Sequence, residues 1–113
     1  MQIYIYIDYE NMSNIKELPK LENGKYFVFI GATQKLKFSY PFGTSVRIIK
    51  IENIGKNALD YELKKFMLER TSVQNTMHFI ISKDKGYDTC INEINIKKQC
   101  KIAYRREGLN FLQ

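Results

Sequence analysis

The chain of 113 residues contains four aspartates, Asp8, Asp60, Asp84 and Asp88, against eight glutamates. Each aspartate falls where a strand-like run meets a polar or helical stretch. Asp8 directly follows residues 2–7, in which Ile3, Ile5 and Ile7 alternate with Tyr4 and Tyr6. Asp84 follows the apolar run 77–81, separated from it by Ser82 and Lys83. Both therefore stand at the carboxyl end of a strand, the edge at which open parallel sheets bind ligands wherever the strand order reverses. If the first and fourth strands are neighbours there, Asp8 and Asp84 face each other across the crevice. Asp88 lies four residues after Asp84, where an unpaired like charge costs a few tenths of a kcal/mol, a cost that a cation removes. Asp60 opens a helix one position off its apolar stripe and so belongs near the same edge. Carboxylates gathered in this way cannot all stay ionised without a counter-charge. Hard oxygen donors without His or Cys point to Mg2+ or Mn2+.

Taken singly, most of these residues also have a purely structural reading. Asp84 serves as a helix N-cap, Asp60 as a first-turn acid after an Asn57 cap, and Asp88 as a solvated acid of the next helix. Asp8 resists that reading best, because it follows an apolar strand directly and is joined by the polar Glu10 and Asn11.

The elements that must position them come from periodicity. Residues 2–7, 25–30, 46–51, 77–81 and 101–104 read as five short strands, several apolar on both faces as in a covered parallel sheet. Helical spacing or capacity marks residues 13–21, 33–38, 57–70 and 85–98. Leu59, Leu63, Phe66 and Met67 form a stripe on the third of these, and Tyr87, Ile91 and Ile94 on the fourth; both stripes are core. Turns fall at Glu22-Asn-Gly24, Tyr40-Pro-Phe-Gly43 and Asn53-Ile-Gly55. Alternating strands and helices of this length imply a parallel sheet sandwiched by helices with right-handed crossovers.

Composition narrows the function classes. Lys and Arg number 18 and Asp and Glu 12, a net charge of +6 that favours polyanionic partners. The length suits one domain, expected over residues 1–113. No apolar run approaches a membrane span, and Met1 leads straight into a strand rather than a secretory signal, so a soluble, cytoplasmic protein is expected. Cys90 and Cys100, ten apart, form no redox or zinc motif and read as buried free thiols. His78, the one histidine, sits in an apolar strand and reads as a core or sheet-edge residue. No glycine-rich nucleotide loop occurs.

Three motifs carry a resemblance: Asp8-Tyr-Glu-Asn11, Gly55-Lys-Asn-Ala-Leu-Asp60 and Ser82-Lys-Asp-Lys-Gly-Tyr-Asp88. Together with Phe29-Ile-Gly-Ala-Thr-Gln34 they resemble the PIN-like (NYN-related) nuclease superfamily over nearly the whole chain. The resemblance implies a single-domain α/β/α sandwich with a five-stranded parallel sheet of order 3-2-1-4-5. It makes Asp8, Asp60, Asp84 and Asp88 the catalytic, metal-binding positions. It makes Asn11 the polar companion of the first acid and Ser82 the hydroxyl before the third. Many relatives have Glu where Asp60 stands, and the terminal helices that some use to dimerise are missing or reduced here. The implied reaction is Mg2+- or Mn2+-dependent phosphodiester hydrolysis, with RNA expected rather than DNA. Asn11, Lys56, Ser82, Lys83 and Lys85 then serve the substrate, the lysines by holding its backbone. Arg105 and Arg106 add basic charge of unreadable direction. A catalytically inactive PIN-like module that binds nucleic acid or protein is the alternative. A homodimer or a regulatory protein partner is compatible with either. A phosphoacceptor domain lacks its Asp after the third strand, and a haloacid-dehalogenase-like phosphatase lacks Asp-x-Asp after the first.

Overall fold

A computed structural model of the chain describes residues 1–52, 55 and 57–112. Lys56 and most of the turn expected at 53–55 lie outside the described residues. Alternation of branched and aromatic residues builds β1 (Gln2–Asp8), β2 (Gly24–Gly31), β3 (Val46–Ile51), β4 (Thr76–Ile81) and β5 (Ala103–Arg106). The two strongest helical stripes become α1 (Ala58–Arg70) and α2 (Asp88–Lys98). All strand pairs are parallel and their order is β3-β2-β1-β4-β5, as expected. The order reverses between β1 and β4, where Ile7 lies opposite Ile81.

The period of two along each strand divides the core into two layers. On one face Tyr6, Phe27, Phe29, Ile80 and Ala103 pack beneath Leu59, Leu63 and Met67 of α1 and Ile91 and Ile94 of α2. On the other, Ile5, Ile7, Tyr26, Val28, Phe79 and Ile81 pack beneath Met12, Ile15, Leu18 and Leu109. That second covering layer corrects an expectation: residues 13–21 and 33–38 form turns and extended chain, not helices. Pro19 holds Leu18 out of helical geometry, and six residues are too few to pay for helix nucleation on their own. The first segment instead hydrogen-bonds to Ser39, just past the second. Leu18 N donates to Ser39 O at 2.9 Å and Ser39 N to Lys16 O at 3.0 Å. The Tyr26 hydroxyl donates to Pro19 O, and the Tyr9 hydroxyl accepts from Lys37 N at 3.0 Å.

A smaller correction concerns the last strand, which starts at Ala103 rather than at residue 101. Asn95 of α2 sets that start, its Oδ1 accepting from Ile102 N and Ala103 N and its Nδ2 donating to Ala103 O. Arg105 and Arg106 thereby become strand residues on opposite faces. The cysteines are free, but Cys90 is only half-buried and Cys100 is exposed. A cysteine just past a helix end, beside Gln99 in the left-handed region, has no core to enter. His78 is fully buried between the Tyr6 hydroxyl at Nδ1 and Thr76 Oγ1 at Nε2, each at 2.8 Å. Thr76 Oγ1 donates its proton to Val73 O, so it accepts from His78 Nε2–H, which leaves Nδ1 to accept from Tyr6. Three left-handed residues, Asn23, Asn75 and Gln99, lie on the approaches to β2, β4 and β5 at the amino edge of the sheet. Among the described residues no helix is long and apolar enough to cross a membrane.

Candidate active site

Asp8 ends β1 on the face that carries the two helices, and only 6% of it is exposed, so its carboxylate has little water to solvate it. Hydroxyl groups replace that water. Asp8 Oδ2 accepts from Ser82 Oγ and from the Tyr87 hydroxyl, each at 3.1 Å, and Oδ1 accepts from Asn11 N at 3.4 Å. Ser82 follows β4 directly and is fully buried. Its Oγ also accepts from Asp84 N at 3.0 Å, which orients the hydroxyl proton toward Asp8. Asp84 caps a short 3-10 turn, Lys85–Tyr87, by accepting from Gly86 N at 2.8 Å. That turn delivers the buried Tyr87 to Asp8. Across the reversal point, Asn11 Oδ1 accepts from Lys83 N at 2.8 Å and ties the loop after β1 to the loop after β4.

Burial pushes the Asp8 carboxyl above the ordinary carboxylate range, while the Tyr87 and Ser82 hydroxyls and the Asn11 amide partly offset this and Glu10 adds to it. Tyr87 is raised far above the usual phenol range, first by burial, then by Asp8, and further by Asp60 and Asp84. Three of the four aspartates therefore act on one phenol. Asp60 pairs with Lys64 one turn on at 3.9 Å, and the Lys64 ammonium lies 5.5 Å from the centre of the Tyr87 ring. Asp88 is held by a cation. Its Oδ1 accepts from Arg105 Nε at 2.8 Å, and the same guanidinium donates to Ser82 O and Glu107 Oε2, both at 3.0 Å. The counter-charge anticipated for Asp88 is thus supplied by Arg105.

Sequence reasoning missed two participants. Helical spacing places Tyr87 on the apolar stripe, yet a buried phenol needs a hydrogen-bond partner, and its place between Asp84 and Asp88 is the available signal. Arg105 could be aimed only once the start of β5 was known. Lys83 and Lys85 are exposed at the rim, and Lys56 lies outside the described residues.

Among the described residues, no group of three or more His, Cys, Asp or Glu could by itself hold a metal ion. The donors nonetheless fit Mg2+ or Mn2+ in kind. They are carboxylates and hydroxyls, and Mg2+ keeps several of its waters, needing one or two protein carboxylates beside substrate phosphates.

Fold and site together define an open parallel α/β domain, helices on one face and irregular chain on the other, with acidic groups at the carboxyl edge of its strand-order reversal. A family model of the PIN domain matches residues 2–100, and the chain belongs to that family. It is a nuclease-type, PIN-like module. No curated protein and no solved structure matches it.

Proposed function

We propose that this PIN domain, taken as one unit over residues 1–113, is a metal-dependent ribonuclease. The observation that carries the proposal is the buried Asp8 carboxylate, linked through Ser82 to the backbone of Asp84 across the reversal point. Asp8 and Asp84 would hold a Mg2+ or Mn2+, with Asp60 and Asp88 at its margin. When bound, the ion would supply an acidified water and charge neutralisation at the scissile phosphate.

The chain's own part is positioning. The hydroxyls of Ser82 and Tyr87 fix one Asp8 oxygen. The bond between Asn11 and Lys83 N holds the two acidic loops together, and Lys83 and Lys85 at the rim face the substrate backbone. Hydrolysis forms a bond from water oxygen to phosphorus as an ester P–O bond breaks, and the proton ends on the leaving oxygen.

The test is cleavage of single-stranded RNA by purified protein with Mn2+ or Mg2+, with a chelated control. Asp8→Asn and Asp84→Asn are each expected to abolish cleavage, and activity that survives both changes sinks the proposal. A second reading, an inactive module that binds nucleic acid or protein, draws on Arg105 occupying Asp88 and Lys64 standing beside Asp60. RNA binding without metal and without cleavage, indifferent to both aspartate changes, is its signature.

A further inference from the structure

The irregular layer opposite the helices carries a feature that the acidic site does not use. A hollow of about 580 Å³ is lined by Tyr9, Ser13, Asn14, Lys16, Gln34, Lys35 and Lys37, with three lysines and no acid. None of these lysines takes part in an ion pair among the described residues. Like-charged ammonium groups brought together without a counter-ion repel, so this arrangement favours an anion.

The walls are built rather than loose. Gln34 accepts from Gly31 N at 3.2 Å and donates to Tyr9 O at 2.8 Å, and Lys37 N donates to the Tyr9 hydroxyl. The backbone at Lys16 is paired with Ser39. Gln34 also lines a second hollow, shared with Glu10, Gly31, Ala58 and Leu59, which leads to the start of α1 two residues before Asp60. The lysine hollow is thereby joined to the acidic edge through Gln34. From Tyr9, which lines the hollow, rings follow one another to Phe38 at 5.5 Å and from Phe38 to Tyr40 at 6.2 Å, and Tyr40 is 47% exposed.

We propose that the hollow of Lys16, Lys35 and Lys37 holds the phosphate backbone of a single-stranded RNA, with Tyr40 as a stacking surface for a base beyond it. Spaced cations supply sequence-independent affinity and an exposed aromatic ring accepts any base. The strand then runs from the carboxylates, past Gln34, onto the layer made of irregular chain. This deepens the nuclease reading and rests on it for the choice of RNA.

The experiment measures binding of a fluorescent oligouridylate to the full chain in chelator, across a salt series. The variant K16E/K35E/K37E is compared with K25E/K97E/K98E, whose exposed lysines lie at the amino edge of the sheet. Each triple change takes the net charge from +6 to zero, so bulk electrostatics are matched. The hollow variant is expected to bind at least about tenfold more weakly than the control, with its salt slope reduced by about 2, near 0.7 for each lost phosphate contact. Tyr40→Ala is expected to weaken binding with the slope unchanged. Equal losses in the two triple variants, or no binding by the wild-type chain, overturn the proposal. Binding lost only in the hollow variant, in a protein that cleaves nothing with Mn2+, upholds the hollow and refutes the hydrolase.

Discussion

Tyr87 and Arg105 decide how Asp8 and Asp88 behave, though neither is an acid. The Tyr87 hydroxyl stabilises ionised Asp8 and so lowers a carboxyl that burial has raised. Tyr87→Phe removes that donor while keeping the buried ring, and the carboxyl rises further. The acid limb of Mn2+-dependent cleavage is therefore expected to move to higher pH in this variant, with the plateau rate changed less than the limb. A limb at the wild-type position would show that Asp8 is not the group that titrates. Arg105→Met has two expected effects. It leaves Asp88 and Glu107 without their cation and Ser82 O without its donor, which should lower the melting temperature by roughly 4 °C. It also removes a positive charge beside the carboxylates, which should tighten Mn2+ binding several-fold by calorimetry. Weaker Mn2+ binding would mean that the guanidinium orients Asp88 rather than competes for it.

At the scale of the element, α2 ends on a residue that pays a conformational cost. Gln99 caps it at φ 56°, in the left-handed region where a Cβ is unfavourable, and its side chain is exposed. Gln99→Gly is expected to stabilise the chain by about 0.5–1 kcal/mol in urea denaturation, since glycine is the preferred residue there. Leu63→Ala, beneath the middle of α1, should cost about 2–5 kcal/mol by leaving a cavity over the sheet. These elements could be read because their periods were clean: Leu59, Leu63 and Met67 all enter the core, as do Ile91 and Ile94. Residues 13–21 could not be read in the same way. Ile15 and Leu18 are spaced for a helix, but the same spacing serves an irregular chain that touches the sheet every third residue, and Pro19 decided between them. The acids were legible as a set through their place at strand ends. Of their partners, Lys64 stands at i+4 from Asp60 and Tyr87 between two of the acids, both local signals, whereas Arg105 reaches Asp88 only through the register of β5.

For the molecule as a whole, the one histidine makes a pH-dependent contribution to stability. Burial, with a smaller push from Lys98, lowers His78 from 6.5 to about 4. The unfolded chain therefore binds a proton between those values that the folded chain refuses, so the His78 contribution to stability is full above pH 6.5 and is lost as pH drops toward 4. The loss from this group is about 3 kcal/mol across that window. Because the chain has a single histidine, its imidazole resonances are unambiguous in NMR. They are expected to report the neutral Nε2–H form down to about pH 4, and a midpoint near 6.5 would show the site to be hydrated. The turns at Asn23, Asn75 and Gln99 have a practical meaning as well. They gather at the sheet edge opposite the aspartates, so a fluorophore, an affinity handle or a surface attachment placed among them reports on the chain from its far side. Single-molecule work can anchor the protein there and leave the acidic edge open to a long polymer in free solution.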